Sequence, residues 1–363
     1  MIKYLGSKRV LVPLILQTVG RLPGTRTVAD LFSGTSRVGH ALKHAGYRVL
    51  ANDHNAYAET LARCYVQADR EAVADDAATL IAEFGRLRGR PGYFTQTFCE
   101  RSRFFQPRNG ERIDAIREAI ARKGLPPELE AVVLVSLMEA ADRVDSTTGV
   151  QMAYLKRWAP RASNALELRL PALLPRAAGG KGRALGLDAL AAAKALQADV
   201  AYLDPPYNQH SYRGNYHIWE SLVLWDKPEV YGMACKRVDC RQRTSLFNSR
   251  PRFRQTMAEL IAAVRSPIIV LSFSDEGYMA RAEIEELLAT RGQVAVIERD
   301  HPRYVGARIG IYNPRGEKVG RVSHVRNCER IYVCSEVRLD LAALGPPARK
   351  PGLRPLSAGI GRP

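Results

Sequence analysis

The most informative residues of the chain are Asp204-Pro205-Pro206-Tyr207, which follow the apolar run 199–203. Ligands of open α/β sheets bind beyond the carboxyl ends of strands, so this position suits a reaction centre. Prolines lack backbone donors and leave their carbonyls free to accept hydrogen bonds, while Asp204 is a further acceptor and Tyr207 offers a flat ring. The combination suits a planar heterocycle that carries an amino group, although a plain strand followed by a Pro-Pro turn has the same pattern.

A glycine-containing turn at residues 30–39 (Asp-Leu-Phe-Ser-Gly-Thr-Ser-Arg-Val-Gly) is a second candidate site. Such a turn lets backbone amides approach a ligand at the positive end of a helix. It lacks the Gly-Lys-Ser/Thr of a phosphate loop and the GxGxxG dinucleotide pattern. Asp53 follows the next predicted strand, where such folds place an acid for ribose hydroxyls. Together these features favour a nucleoside ligand without pyrophosphate, such as S-adenosylmethionine, over a plain strand–helix turn.

The chain start, Lys-Tyr-Leu-Gly-Ser-Lys at residues 3–8, is a third candidate. Gly6 and Ser7 can present backbone and hydroxyl donors. Lys8 can pair with a carboxylate such as the one on the amino-acid part of the methyl donor. Taken alone, the motif is equally typical of a solvated lysine near a chain start.

The elements that must position these residues alternate between strand and helix. Predicted strands at 27–33 and 47–51 are each followed by a helix, the second over residues 56–68, which predicts a parallel sheet with right-handed crossovers. Later strands are predicted at 183–187, 200–203, 267–272, 294–298 and 330–334, with a β-hairpin at 305–325. The prediction is an α/β core (1–70 and 181–336), a mostly helical insertion (71–180) and a disordered basic tail (337–363).

Composition restricts the class of partner. The 363 residues carry a formal net charge of +17, which favours nucleic acid, although a generally basic proteome would give the same surplus. The start lacks a signal-peptide core and no apolar run could span a bilayer, so we expect a cytoplasmic protein with no membrane partner. The six cysteines form no CxxC pair, so we predict reduced thiols and no metal site.

Three motifs in a fixed order carry a resemblance to a known family. Residues 4–8, 30–34 and 204–207 resemble, in that order, the N6-adenine DNA methyltransferases of the alpha-ordered group, the DNA adenine methylase family. Residues 208–217, with Glu220 soon after, more narrowly resemble FokI-type modification methylases. The resemblance covers the predicted core and implies a Rossmann-like, S-adenosylmethionine-dependent methyltransferase sheet. Phe32 stands where the general methyltransferase pattern has glycine, as is frequent in adenine methylases.

The resemblance also implies a role for each matching residue. Asp204 and Pro205 would accept both amino hydrogens of a flipped-out adenine, on which Tyr207 would stack. The residues implied in cofactor binding are Tyr4, Gly6, Ser7, Lys8, Asp30, Phe32, Ser33, Gly34, Thr35, Asp53 and, more loosely, Asp188. Duplex DNA in the nucleoid is then the partner, and a cognate restriction endonuclease encoded elsewhere is compatible with this interpretation.

Basic residues in two segments are candidates for DNA contacts, because phosphate binding needs positive charge. We assign the basic run 236–254 to the DNA backbone and the insertion to sequence recognition. The predicted DNA-binding residues are Arg101, Arg103, Arg108, Tyr216, His217, Lys236, Arg237, Arg241, Arg243 and Arg252. A solvated loop is the alternative for the basic run, and a hydrophobic core is the alternative for Phe104 and Phe105 in the insertion.

Other functions remain open at the level of sequence. An RNA base methyltransferase could use the same catalytic turn, but the 4–8 motif before the cofactor loop and the long insertion favour DNA. A non-catalytic nucleic-acid-binding protein is disfavoured by the intact Lys8, Asp53 and Asp204. A protein-glutamine methylase is disfavoured because such enzymes have Asn at the position of Asp204 and need no large basic surface.

Overall fold

The computed structural model describes residues 1–207, 209, 211–242, 245–302, 311–312, 318–320 and 326–340. Arg243, a predicted DNA contact, lies outside these ranges. So do residues 305–310, 313–317 and 321–325 of the predicted hairpin and the part of the predicted tail beyond residue 340. Within them, no helix combines the length and apolarity that crossing a bilayer requires.

A seven-stranded sheet with the strand order β3-β2-β1-β4-β7-β11-β8 forms the centre of the fold. Its strands are β1 (Thr27–Asp30), β2 (Arg48–Asn52), β3 (Arg183–Leu185), β4 (Val200–Leu203), β7 (Ile268–Ser274), β8 (Gln293–Pro302) and β11 (Arg326–Ser335). Two antiparallel strand pairs lie outside it, namely β5 (Val230–Tyr231) with β6 (Lys236–Arg237), and β9 (Ile311–Tyr312) with β10 (Lys318–Gly320). The predicted strands of the core are therefore confirmed.

The sheet is mostly parallel, as the strand–helix alternation predicts, and one antiparallel strand makes it mixed. β1 pairs in parallel with β2 and β4, and β4 with β7, whereas β11 runs antiparallel to both β7 and β8. A parallel pair needs a crossover connection, but β8 and β11 are joined through the segment that contains the β9–β10 pair, which lets the chain turn back beside itself. The start of β11 therefore lies at the edge where the parallel strands end.

Helices cover both faces of this sheet. Their bounds are α1 (Val12–Gly20), α2 (Arg37–His44), α3 (Ala56–Ala62), α4 (Arg70–Gly85), α5 (Tyr93–Thr95), α6 (Pro107–Lys123), α7 (Pro127–Arg143), α8 (Ala189–Ala195), α9 (Tyr212–Asn215), α10 (His217–Leu224), α11 (Arg250–Ala263) and α12 (Arg281–Ala289). Alternate residues of β4 face opposite sides, so Val200 packs with α1 and α2 while Ala201 packs with α8, α11 and α12. A short π-helical turn, Arg63–Gln67, extends α3 over most of the helix predicted at 56–68.

The helical insertion shares its hydrophobic core with two helices of the α/β part. α4, α6 and α7 bury side chains in one cluster with α3 and α10. The aromatic residues that could have been a DNA-binding surface belong to this cluster, since Phe104 and Phe105 are buried. The alternative of a plain core is thus confirmed for them, and the boundaries at residues 70 and 180 stay a prediction.

Candidate active site

Three carboxylates meet at the carboxyl edge of the sheet. Asp30 ends β1, Asp53 follows β2 and Asp204 follows β4, and β1 lies between the other two strands. They line one cavity of about 1070 Å³, including its open mouth. All eleven predicted cofactor-binding residues line the same cavity, together with Asp204 and Pro206 of the predicted catalytic turn. The structure thus brings together motifs that are about 200 residues apart in the chain.

The glycine turn after β1 is held by Asp53. One carboxylate oxygen of Asp53 accepts a hydrogen bond from the Gly34 amide at 3.0 Å, and the other accepts from the amide and side chain of Asn55. Gly34 has φ +50°, and a Cβ there would lie 3.3 Å from the Tyr4 hydroxyl, so both backbone conformation and space favour glycine. The 30–39 turn and the 4–8 motif therefore pack directly against each other.

Asp30 is a buried carboxylate without a hydrogen-bond partner among the described residues. Only 1% of the residue is exposed, and neither carboxylate oxygen accepts a hydrogen bond there. Burial, with the nearby Asp204 and Asp53 charges, raises the pKa of Asp30 to about 8, although the Phe32 backbone amide acts in the opposite direction. A buried polar group left in this condition is expensive for a folded protein, which suggests that a ligand completes its contacts.

Lys8 lines the cavity and also lies between two carboxylates, so it is a paired cation. Its Nζ is 3.1 Å from Asp204 Oδ1 and 3.5 Å from Glu329 Oε2, and the side chain is only 8% exposed. Burial alone would lower the pKa of Lys8, but Asp204 and the other facing groups outweigh it and raise this pKa. The predicted contact of Lys8 with a cofactor carboxylate stays a prediction, and the structure adds that the ammonium is also paired within the protein.

The catalytic turn itself is half enclosed. Burial raises the pKa of Asp204 to about 6, although Lys8 acts in the opposite direction. The Tyr207 ring lies 5.2 Å from the Phe273 ring and 5.6 Å from Lys8 Nζ. Pro205 is buried beneath the turn, while Pro206 lines the cavity. Asp204 is thus a carboxylate that is ionised at neutral pH and has one oxygen engaged by Lys8.

Tyr216 was predicted to contact DNA, and this prediction is wrong because its side chain is buried. The Tyr4 ring stacks on Tyr216 and Tyr212, with centroid distances of 4.6 and 5.2 Å. The Tyr216 hydroxyl accepts a 2.6 Å hydrogen bond from the Leu5 amide. Tyr212 also lines the cavity and was missed, although the four-residue spacing of the two tyrosines is that of one helix face. These rings fix the 4–8 motif over the cavity.

The predicted DNA contact of His217 is also wrong. The side chain is fully buried, with the Phe98 and Phe104 rings about 6 Å away, and Nε2 pairs with the Gln151 carbonyl at 3.0 Å. Burial lowers the pKa of His217 to about 3, so the ring is neutral under ordinary conditions. The histidine is part of the core that joins α10 to the insertion.

Arg237 was predicted to contact phosphate, and the structure assigns it to an internal ion-pair chain instead. Its guanidinium binds both oxygens of Asp226 at 2.7 Å, contacts Asp239 at 3.1 Å and is buried. Asp239 also pairs with Arg213, a cavity-lining residue that in turn pairs with Glu220. This chain links the β5–β6 hairpin to the cavity wall, and no local pattern in the sequence identifies Arg213 as its centre.

Other parts of the basic run also line the cavity. Residues 245–248 form part of its wall, where the Phe247 ring meets the Phe32 ring edge to face at 5.2 Å. Asp188 caps α8 by accepting a hydrogen bond from the Leu190 amide at 2.9 Å, and it is exposed to the cavity. The sequence assigned the whole 236–254 run to DNA and missed this contribution to the cavity wall.

The remaining predicted DNA contacts keep their charge at the surface. Arg103 lies 4.8 Å over the Trp158 ring, and Arg241 lies 3.8 Å over the Tyr231 ring. The exposed members are Arg101, Arg103, Arg108, Arg241 and Arg252, and Lys236 is half-buried. Nothing in their geometry conflicts with a DNA backbone nearby, and their contacts remain predictions.

The fold and site together define a class of protein: an α/β methyltransferase whose acceptor is an amino-bearing base. The family model of D12 class N6 adenine-specific DNA methyltransferases matches residues 4–263, and the chain belongs to this family. It is therefore an enzyme that methylates adenine in DNA in a site-specific manner. This membership decides for DNA over RNA and for catalysis over binding alone.

Several curated relatives are similar to the chain. It is 27% identical over 334 residues to the Type II methyltransferase M.NlaIII of Neisseria lactamica, a match that covers 89% of this chain and 98% of the relative. It is 29% identical to the Type II methyltransferase M.FokI of Planomicrobium okeanokoites, covering 80% of this chain and 47% of the relative. For M.CviAII of Paramecium bursaria Chlorella virus 1 the identity is 26%, with 84% and 92% covered. The chain thus spans about half of M.FokI and nearly all of M.NlaIII.

Proposed function

We propose that the chain transfers the methyl group of S-adenosylmethionine to N6 of an adenine flipped out of duplex DNA. The supporting observation is that a single cavity is lined by the whole predicted cofactor set and by Asp204 and Pro206. Methyl donor and acceptor must meet at one point, so a shared cavity is what this reaction requires.

The residues present fit S-adenosylmethionine. The buried, unpartnered oxygens of Asp30 would accept hydrogen bonds from the ammonium of its amino-acid part. Asp53 would hold a ribose hydroxyl through Oδ2, which has lone-pair capacity beyond its bond to the Gly34 amide, whereas Oδ1 already accepts two hydrogen bonds from Asn55. Asp188 would face the cofactor adenine. S-adenosylmethionine supplies a methyl group on positively charged sulfur, which keeps the electron pair of the broken carbon–sulfur bond.

Asp204 and Pro205 would prepare the target nitrogen. The amino nitrogen of adenine is a weak nucleophile because its lone pair is delocalised into the ring. Hydrogen bonds from its two hydrogens to the Asp204 carboxylate and the Pro205 carbonyl favour a pyramidal nitrogen with an available lone pair. As N6 gains the methyl carbon it must lose one hydrogen, and Asp204 is the base placed to accept that proton. With a pKa of about 6, its carboxylate is ionised at neutral pH and releases the proton to solvent afterwards.

Tyr207 would hold the flipped base. An adenine inside a duplex is out of reach of Asp204, so the nucleotide must leave the base stack. One side of the Tyr207 ring is supported by Phe273, which leaves a rigid aromatic surface for stacking. The exposed arginines of the insertion and of the basic run would bind the flanking phosphates.

The substitution Asp204→Ala tests the proposal. We expect methyl transfer from labelled S-adenosylmethionine to unmethylated genomic duplex DNA to fall at least about 1000-fold, because acceptor and base are lost together. Cofactor affinity, measured by calorimetry, should stay within about threefold of the wild type, since the remaining cofactor contacts are intact. Asp76→Ala, an exposed change on α4, serves as the control. Wild-type turnover by the Asp204 variant, or no cofactor binding by the wild type, would refute the assignment.

A cognate restriction endonuclease encoded elsewhere, and a nucleoid location in the cytoplasm, belong to the same proposal. The support is that several relatives are named Type II methyltransferases or modification methylases. Single-molecule sequencing of a host genome that expresses the chain would reveal the methylated sequence. A scattered, context-free pattern of methyladenine would contradict this part of the proposal.

A further inference from the structure

We infer that Glu329 is a positioning residue for methyl transfer, which shares the Lys8 ammonium with Asp204 and so keeps the Asp204 carboxylate available to the amino group. The inference rests on the proposed function of Asp204. Glu329 lies on β11, beyond residues 4–263 that the family model matches. It lies outside the motifs at residues 4–8, 30–39 and 204–207.

The antiparallel direction of β11 brings Glu329 to the active edge. The parallel strands present their last residues at this edge, as β4 does with Asp204 directly after Leu203. β11 runs the other way, so its first half reaches the same edge, and Glu329 pairs with Ser274 at the end of β7. The start of this antiparallel strand therefore places side chains at the same sheet edge as the ends of its parallel neighbours.

The contacts form a compact triad of charges. Lys8 Nζ lies 3.1 Å from Asp204 Oδ1 and 3.5 Å from Glu329 Oε2, with side-chain exposures of 8%, 17% and 14% respectively. Glu329 Oε2 is buried and has no hydrogen-bond partner among the described residues, and the Lys8 ammonium lies 3.5 Å from it. Arg299 is opposite Glu329 on β8, but it is exposed and forms no ion pair with a described residue. Two carboxylates therefore share one ammonium in a site that is largely closed to solvent.

Sharing the Lys8 ammonium with Glu329 changes the strength of Asp204 as a hydrogen-bond acceptor and base. A lysine paired with one carboxylate would neutralise it and compete with the adenine amino group for its lone pairs. A second carboxylate on the same ammonium draws part of that charge away, so Asp204 stays a stronger hydrogen-bond acceptor and base. The groups that face Asp204 from the elements around it are Lys8, Glu329, Asp30, Tyr202, Tyr207 and Tyr212. Among them, Lys8 lowers the pKa of Asp204 and Glu329 raises it.

The test is the pH dependence of single-turnover methylation by Glu329→Gln and Lys8→Met, with saturating labelled S-adenosylmethionine and unmethylated genomic duplex DNA. For Glu329→Gln we expect the plateau rate to fall about tenfold, because Asp204 becomes a weaker base, and the acid limb to move to lower pH. For Lys8→Met the acid limb should move to higher pH, because the cation that favours ionised Asp204 is gone. Loss of structural support alone would not move the acid limb of Glu329→Gln to lower pH and that of Lys8→Met to higher pH.

Glu298→Gln is the matched control, since this glutamate lies on the neighbouring β8 and pairs at the surface with Arg281 and Arg330. Its acid limb should coincide with that of the wild type. A Glu329→Gln limb that stays in place or moves to higher pH would overturn the inference while methylation by the wild type upholds the proposed function. If Glu329→Gln does not fold, as judged by circular dichroism, the double variant Lys8→Met/Glu329→Gln is compared with Lys8→Met. Its acid limb should lie at lower pH than that of Lys8→Met, and a limb at the same or higher pH refutes the role of Glu329.

Discussion

Buried carboxylates in the helical insertion and at the sheet edge are treated in opposite ways. In the insertion, Asp114 accepts hydrogen bonds from the Gly92, Phe94 and Thr95 amides and from the Thr95 hydroxyl, all at 2.7–2.9 Å. At the sheet edge, Asp30 is buried as deeply and accepts none from the described residues. The same functional group therefore stabilises one region and is left unsatisfied in the other.

The difference separates a structural acid from a ligand-binding acid. Asp114 caps the turn that starts α5, so its charge is compensated by backbone donors whether or not a ligand is present. Asp30 lies beside two other carboxylates, Asp53 and Asp204, and its ionised form is disfavoured until a cation approaches. A folded protein tolerates such a group where function requires it and where the rest of the core supplies the stability.

The largest effect is expected for Asp114→Asn. The amide would place an NH2 group against backbone donors and lose the charge that several of them share. We expect the free energy of unfolding to fall by about 3 kcal/mol, as for the loss of a buried charge-assisted network. Urea denaturation measures this loss. A change below about 1 kcal/mol would show that the insertion does not depend on this cap.

Asp30→Asn is the same chemical change at the other site, and the expected sign is opposite. The pKa of Asp30 is about 8 in the fold, against an ordinary value near 4 in an unfolded chain. The folded state therefore binds more protons between these values, and the contribution of Asp30 to stability is lost as pH rises from about 4 to about 8. Asp30→Asn has no carboxyl group to titrate. Without cofactor it should therefore be more stable than the wild type at pH 8, by on the order of a few kcal/mol.

The gain in stability should be accompanied by a loss of cofactor affinity. Calorimetry should show binding of S-adenosylmethionine weakened about tenfold or more, because the partner of its ammonium has no charge. The difference in unfolding free energy between variant and wild type should shrink towards pH 4. If Asp30→Asn and Asp114→Asn both destabilise the protein at pH 8, the contrast between the two regions is wrong.

The sequence was sufficient for the residues that follow strands and insufficient for those that reach the site from elsewhere. Asp30, Asp53 and Asp204 each come directly at or after an apolar strand, so the rule for carboxyl edges predicts them. Glu329 escapes that rule because it lies near the start of an antiparallel strand. Arg213 escapes because its partners, Glu220 and Asp239, become neighbours only through tertiary packing.

The errors on the DNA side have a related cause. Tyr216, His217 and Arg237 are polar residues near the catalytic turn, and sequence alone does not show that all three are buried. Burial depends on α10 packing against the insertion, a contact between segments about 100 residues apart. A prediction based on charge and on closeness to the catalytic turn therefore includes too many DNA-binding residues. Ion pairing and burial within the fold decide which cations can contact phosphate.

The comparison of paired and unpaired charges extends to the surface arginines, where the expected effect is smallest. Arg241 and Arg252 are exposed and form no ion pair with a described residue, whereas Arg254 in the same segment pairs with Glu283 and Glu286. An arginine whose charge is paired with two carboxylates neutralises no phosphate, so it displaces no counterion from the DNA. We therefore expect Arg241→Gln and Arg252→Gln each to reduce the slope of log affinity against log salt concentration by about one unit.

Arg254→Gln is the matched control for this experiment, because it removes the same charge from the same exposed segment. Its salt slope should equal that of the wild type when binding to a duplex fragment is measured by fluorescence anisotropy at several salt concentrations. If all three variants have the salt slope of the wild type, the 236–254 run does not belong to the DNA interface. A reduced slope for Arg254→Gln alone would mean that pairing in the free protein does not determine which cations meet phosphate, and the contrast drawn between Asp114 and Asp30 would then not hold for cations.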